Sequence, residues 1–368
     1  MFRLFILVLV SSACFALRAD VELRYANNFA IEIFPTHKQL TVRNTWVGAG
    51  DSEQVYALVP RSADKLPTLP DGAIVIRTPV ERLAIMATVF LGPIRDLDLY
   101  DSLVGIAYLD WANDERAHQR VAKGLAKPIQ SGAAMDVESM LMMRPDLILT
   151  STTGNPNFDT NPQMLRAGLP VVVTAGYMED HPLGRTEWIK FIAAFYDKEE
   201  EAKAVFDRVA DRYEELTALA ATAKTRPTVF SNAPYGGVWH VPGGDSYTAK
   251  AFASAGAKYL WADNDSRGGV PTDFEVILQR AGDADYWLHP SHYESLAELI
   301  SADERFINFE AVQEGRVFNN TLRVNDHGGN DIYERGVSRP DEVLADLIKI
   351  FHPELLPQHQ FVFYEQLK

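Results

Sequence analysis

Three rhythms of apolar and polar residues follow one another along this chain. From Val21 to Arg61 the period is two. FAIEIF (29–34), QLTVRNTW (39–46) and VYALVP (55–60) alternate, with PTHK as a turn between the first two. A small antiparallel β appendage is expected there, followed by the Pro-rich connector SADKLPTLPDG. Beyond it the apolar runs become short and continuous: ERLAIMA, SLVGIAY, DLILTS and LPVVVTA, separated by segments of helical spacing. Continuous runs suit parallel strands covered on both faces. The same order returns in PTVFSN, AKYLWA, ADYWLHP and GRVFNN.

One phrase is written twice. DVESMLMMRPDLILTS begins at Asp136, and DFEVILQRAGDADYWLHP begins at Asp273. Each opens acid–apolar–Glu, runs through a helical stretch to an Asp and ends in an apolar strand. Two similar lobes are implied. Between them, Glu199 to Lys224 holds Ala202, Val205, Phe206, Val209, Tyr213, Leu216 and Ala220 on one helical face, with no Gly or Pro. Asp197 is placed to cap this helix, with Glu200 reaching back. Such a helix runs roughly 35 to 40 Å, enough to cross from lobe to lobe. The expected architecture is therefore α/β: two similar parallel-sheet lobes joined by one long α-helix, with a small N-terminal β appendage. The expected divisions are 20–76 for appendage and connector, 77–196 for the N-lobe, 197–224 for the linking helix, 225–352 for the C-lobe and 353–368 for a C-terminal tail.

Charge and cysteine content narrow the class. The chain has 368 residues and a formal charge of −15. A field of that sign repels phosphate backbones, so nucleic acid is not an expected partner. The N-terminus, MFRLFILVLVSSACFALRAD, has one cation, a short apolar run and then small residues. It reads as a secretory signal peptide over residues 1–19, too short to span a bilayer. Its export places the mature chain in the periplasm. The sole cysteine, Cys14, lies inside it. Lipidation there is the lesser alternative, since Ser11 stands where a lipoprotein signal usually has Leu. Cleavage beyond Cys14 leaves no thiol and no disulfide.

With these elements in place, the order of signal, lobe, single long helix and lobe resembles the solute-binding proteins of ABC importers. It is most similar to the helix-linked class that handles iron-siderophores, haem and cobalamin. The words that carry the resemblance are RTPVERLAIMA, DSLVGIAYLD, DVESMLMMRPDLILTS, GLPVVV and EGRVFNN, and it covers roughly Arg77 to His352. It implies a monomer that captures a metal chelate between its lobes and delivers it to an ABC permease dimer in the inner membrane. It implies permease-docking roles for Glu138 and Glu275, the acids of the repeated phrase. An acid in a first helical turn also favours the helix dipole without any partner. The chain departs from the pattern at Arg95, where members often carry a Glu.

Ligands of open parallel sheets bind beyond the C-terminal strand ends. The loops there supply Thr88, Trp111, Thr152 and Tyr177 from the first lobe. The second supplies Tyr235, Trp239, Arg267, His289, Arg323 and Tyr333. Trp111, Tyr177, Tyr235 and Trp239 offer faces for a flat chelate. Arg185, Arg267, Arg323 and Arg335 offer forked donors to an anionic one. Each is also an ordinary packing or surface residue taken singly. RVNDHGGNDIYERG (323–336) reads as a loop at the cleft mouth, with an Asx turn as the plainer alternative. No protein metal site is expected: His289 and His292 form HxxH, but Pro290 breaks the helix such a site needs. No catalytic residue is expected either. The sequence has no GxSxG elbow, no Walker A loop and no GxGxxG after a strand. An exported hydrolase, using Asp326, His327 and Asp331, or a ligand sensor on the same bilobed fold is the alternative.

Overall fold

The computed structural model describes residues 19–50, 52–130, 136–155, 159 and 161–368. The signal segment, Cys14 included, lies outside the described residues except for Ala19.

The alternating N-terminal region forms a five-stranded sheet in chain order: β1 (Ala19–Asp20), β2 (Phe29–Ile33), β3 (Lys38–Val42), β4 (Gln54–Pro60) and β5 (Ile74–Thr78). The first four pair antiparallel, whereas β5 runs parallel to β4, with Tyr56 opposite Ile74. The Pro-rich connector is thus a crossover that delivers a fifth strand, not the end of the appendage. Nor is the sheet a detached module. Phe29 packs on Trp188 and Phe191, with ring centroids 4.6 and 5.6 Å apart.

The N-lobe sheet contains β6 (Leu83–Ile85), β7 (Leu103–Ala107), β8 (Lys127–Gln130), β9 (Leu147–Ser151) and β10 (Val171–Thr174). All pairs are parallel, in the order β10-β9-β6-β7-β8. Its helices are α1 (Leu91–Asp96), α2 (Glu115–Ala122), α3 (Val137–Met143), α4 (Asn161–Arg166) and α5 (Pro182–Ala193). The β10 edge is covered by the first sheet, whose Tyr56 hydroxyl accepts the Val173 N–H at 2.9 Å.

The linking helix α6 (Glu199–Ala220) has 22 residues and is about 33 Å long. Phe206, Val209, Tyr213, Leu216 and Ala220 form its buried stripe as expected. The Asp197 cap is not formed. Asp197 is left-handed (φ 56°), Lys198 occupies the N-cap position, and no side chain caps the helix. The reason is a competing cation: Lys38 of β3 binds the Asp197 carboxylate at 2.7 Å and also binds Glu199.

The C-lobe runs through β11 (Thr228–Ser231), β12 (Pro234–Tyr235), β13 (Val238–Pro242), α7 (Tyr247–Ser254), β14 (Lys258–Tyr259), β15 (Gly269–Thr272), α8 (Phe274–Ala281) and β16 (Tyr286–Leu288). It continues with α9 (Leu296–Ala302), α10 (Glu310–Gln313), β17 (Val317–Asn319), α11 (Arg335–Ser338), α12 (Pro340–Phe351) and β18 (Glu365–Gln366). The main sheet is β14-β11-β16-β17-β18, with only β18 antiparallel, and β12-β13-β15 form a separate antiparallel sheet. The residues set apart as a tail, 353–368, belong to this lobe. Phe363, Tyr364 and Leu367 are buried, and β18 closes the sheet edge. The fully buried Asp346 carboxylate of α12 accepts the N–H groups of Val362, Phe363 and Tyr364 and bonds His359 Nε2 at 2.6 Å.

Candidate ligand-binding cleft

The strand orders fix where a ligand can lie. In each sheet the first strand has neighbours reached by crossovers in opposite directions, β7 and β9 around β6, and β14 and β16 around β11. The crevice sits outside the carboxyl ends at that switch point. Two adjoining cavities of about 460 and 200 Å³ open there. Both are lined by Tyr177, Arg185, Tyr333 and Val337, so they form one cleft shared by the lobes. The larger cavity reaches Asn232, Tyr247, Arg267 and His289 of the C-lobe, and the smaller reaches Val89, Phe90 and Ser151 of the N-lobe.

Arg185 sets the electrostatics of this space. It is in the first turns of α5, which starts with Pro182 after a His181 cap accepting the Leu183 N–H. Its guanidinium carbon lies 4.3 Å from the Tyr247 ring centroid, a cation–π contact between lobes. Its buried Nε has no hydrogen-bond partner, and no carboxylate forms an ion pair with it among the described residues. Leaving such a donor unmet costs about 1–3 kcal/mol. The other arginines are committed. Asp331 holds Arg323 at 2.5 Å and Glu342 holds Arg335 at 2.8 Å. Arg267 stands 3.9 Å from Asp180, whose carboxylate is 2.8 Å from Lys250. Within a chain of strongly negative charge, the cleft therefore presents one unmet cation and a second weakly met one.

Of the residues expected at the cleft, Tyr177, Arg267, His289 and Tyr333 line it. His289 forms part of the wall with both ring nitrogens engaged: Nδ1 lies 3.0 Å from Ser231 Oγ and Nε2 2.6 Å from the Tyr364 hydroxyl. Burial pushes its pKa down to about 4, so the ring is neutral at pH 7. Burial pushes the Tyr177 phenol up to about 12, with the Asp159 charge adding to it. Thr88 and Thr152 sit on the adjoining loops without lining either cavity. Thr152 turns inward, bonding Asp159. Trp111 is 53 % exposed and stacked on Tyr108, at the seam between the lobes. Arg323 is held by Asp331 outside the cavity walls.

Two expected positions are corrected. Trp239 is 1 % exposed, packed with Phe230, Trp287, Phe306 and Phe309 in the C-lobe core. Its place on β13 puts it on the inward face, the same as Val241, while Val238 and His240 face out. Tyr235 is 87 % exposed on the β12–β13 turn. Register places that turn at the Thr272 end of β15, the end away from Arg267 and Gly269.

The phrase 323–336 makes the seam. Asn325 Nδ2 donates to the carbonyls of Asp110 and Ala112 at 3.0 and 3.2 Å, and Asn113 Nδ2 donates to Gly329 O at 3.1 Å. Gly329 leaves no room for a side chain: a Cβ would stand 2.0 Å from the Trp111 carbonyl. Asn325 Oδ1 also accepts the N–H groups of His327 and Gly329, the Asx turn of the plainer reading. Glu334, 2 % exposed, accepts the Asn113 N–H at 3.0 Å across the seam. Its pKa is pushed up to about 8, chiefly by burial, with the Asp331 and Asp114 charges adding to it.

Glu138 and Glu275 occupy matching places, each in the first turn of its helix, α3 and α8. Glu138 is exposed, and Glu275 is 80 % exposed with Arg305 3.7 Å away. Among the described residues no cluster of His, Cys, Asp and Glu is arranged to hold a metal ion, and no helix is long and apolar enough to cross a membrane.

Comparison with known proteins agrees with this geometry. A family model described as periplasmic binding protein matches residues 91–321. An uncharacterized lipoprotein of Methanocaldococcus jannaschii is 29 % identical over 322 residues, 80 % of this chain and 71 % of that one. A second from the same organism is 26 % identical over 314 residues, 82 % and 76 % of the two chains. Among solved structures, a possible iron-binding (periplasmic solute-binding) protein from Staphylococcus epidermidis superimposes with a TM-score of 0.59 at 20 % identity, covering 75 % of this chain and all of that one. A periplasmic heme binding protein from Pseudomonas aeruginosa gives 0.57 at 17 % identity over 78 % and 98 % of the two chains. A structure titled as an ABC-type Fe3+-hydroxamate transport system from Saccharomonospora viridis gives 0.56 at 17 % over 74 % and 94 %. At these identities the likeness is one of fold.

Proposed function

The chain belongs to the periplasmic binding protein family, and from that premise we propose that it captures an anionic metal chelate between its lobes and delivers it to an ABC permease. The observation that carries this reading is Arg185, a half-buried side chain lining both cavities with a buried, unmet Nε donor. A carboxylate, catecholate or hydroxamate oxygen from a ligand supplies the missing acceptor, and the faces of Tyr177, Tyr247 and Tyr333 suit a flat or ringed body. The iron, haem and Fe3+-hydroxamate proteins among the structural neighbours support the class. The chelate carries its own metal coordination, since His289 has both nitrogens occupied.

Delivery runs through Glu138 and Glu275, one per lobe, facing a permease dimer of matching symmetry. The rigid α6 and the hydrogen-bonded seam limit how far the lobes part, so binding involves a small closure rather than a wide hinge. The chain works outside the cytoplasm as a monomer. A lipid anchor at Cys14 gains support from the two relatives named as lipoproteins.

The test is binding of haemin, ferric dicitrate, ferrichrome and cyanocobalamin, followed by tryptophan fluorescence, for the wild type and Arg185→Leu. Submicromolar binding of haemin or ferric dicitrate, the anionic probes, weakened at least 10-fold by the substitution and tighter than that of the uncharged ferrichrome and cyanocobalamin, is the expected result. Equal affinity of both proteins for every bound probe refutes the role of Arg185.

A further inference from the structure

The N-terminal sheet lies wholly outside the stretch matched by the family model, yet one of its loops reaches the cleft. The loop follows β3. Asn44 is left-handed (φ 49°), and its Nδ2 donates to Asn28 Oδ1 at 3.0 Å, while Arg43 N donates to Asn28 O at 2.8 Å. Asn28 is itself wired to the wall of the cleft. Its N–H and that of Asn27 donate to the buried carboxylate of Glu179 at 3.1 and 2.9 Å, and Trp188 Nε1 donates to the same group at 3.0 Å. Glu179 stands two residues after Tyr177.

Of the next two residues of the loop, Thr45 touches the cleft lining and Trp46 touches the loop after β9. Thr45 O accepts from the Tyr177 hydroxyl at 3.2 Å, and Thr152 O accepts from it at 2.8 Å. One phenol thus ties the appendage to the loop after β9, and its ring is held where it borders both cavities. The Trp46 indole lies against Gly154 (φ 74°), where a Cβ would stand 2.3 Å from Trp46 Cδ1. The Gly154 N–H donates to Asp159 at 2.9 Å, which also gathers Thr152 and Thr153. The loop that borders the N-lobe cavity is therefore held from below by Asp159 and from outside by Trp46.

From this we infer that the N-terminal sheet is a specificity element of the cleft: Trp46 is a positioning residue that, through Gly154 and Tyr177, sets the size and shape of ligand the N-lobe cavity admits. The inference rests on the ligand-binding reading of that cleft. A sheet serving only stability would need no contact at Tyr177 and Gly154, because it also packs on Phe191 and bonds Val173, which line neither cavity.

The experiment compares haemin, a broad flat dicarboxylate, with ferric dicitrate, a compact anion, in wild type, Trp46→Ala, Trp46→Phe and Tyr177→Phe. Trp46→Ala should change the ratio of the two affinities at least fivefold, and Trp46→Phe should restore it. Tyr177→Phe, which keeps the ring but frees it, should shift the ratio in the same direction. Affinities that stay unchanged, or fall in parallel for both probes, overturn the inference. Amide hydrogen exchange separates it from the ligand reading. If the wild type binds neither probe, faster exchange at Gly154 and at 176–178 in Trp46→Ala still supports the positioning. Unchanged exchange there overturns it.

Discussion

Replacing Glu334 with Gln tests the physics of the seam without any ligand. The carboxyl is almost fully buried and faces Asp331, Asp114 and Arg95, with the Asn113 N–H as its donor across the seam. Its folded pKa of about 8 stands well above the ordinary carboxylate value of 4.5. Between those two values the unfolded chain has lost the proton and the folded chain has kept it. Stability contributed by the neutral acid is thus fully present below pH 4.5 and is lost as pH rises through 8. The slope is about 1.4 kcal/mol per pH unit, and the loss approaches 5 kcal/mol as an order of magnitude. Gln keeps an acceptor for Asn113 and cannot ionise. Urea unfolding at half-unit steps from pH 5 to 8.5 gives the stability of each protein, and subtracting one curve from the other cancels every group they share. The difference should grow in favour of Glu334→Gln by several kcal/mol across that range and level off above pH 8. A difference independent of pH refutes the claim that Glu334 is held neutral at the seam.

Three further predictions follow from other parts of the fold. His289 is neutral in the folded protein with a pKa near 4, so its contribution is present above pH 6.5 and lost as pH falls towards 4; His289→Gln should flatten the acid limb of the same urea series. Removing residues 361–368 strips Phe363, Tyr364 and Leu367 from the core, about 2 kcal/mol or more each, and leaves the buried Asp346 carboxylate without its three backbone donors, His359 alone remaining; circular dichroism should show a C-lobe that no longer unfolds cooperatively, and a melting point within a few degrees of wild type contradicts this. Glu138→Arg with Glu275→Arg should abolish cellular uptake of the molecule recovered from the native protein while leaving its affinity within twofold; lost affinity defeats the docking assignment.

The two lobes and their linker were legible because parallel strands buried on both faces leave continuous apolar runs, and α6 leaves an uninterrupted stripe. What the sequence hid was hidden for physical reasons. α5 is buried nearly all round, so PLGRTEWIKFIA carries no one-sided periodicity. β8 is a four-residue edge strand containing Pro128, which reads as a strand breaker until its edge position is known. β5 and β18 are made by partners distant in sequence, Tyr56 with Ile74 and Phe318 with Gln366. Trp239 was readable, since V-W-H-V alternation puts it beside Val241 on the inner face. Arg185 could be named but not singled out. Only in the folded chain do Arg323 and Arg335 meet carboxylates while Arg185 meets a ring and keeps an unmet Nε.

The central claim is that the cleft carries an anionic metal chelate. Its most direct test is the visible absorption spectrum and metal content of the protein purified from its native envelope, with mass spectrometry of whatever acid releases. The account predicts a coloured, metal-bearing anion at close to one equivalent, lost from Arg185→Leu. A colourless, metal-free protein that also fails to bind added haemin, ferric dicitrate, ferrichrome or cyanocobalamin contradicts it.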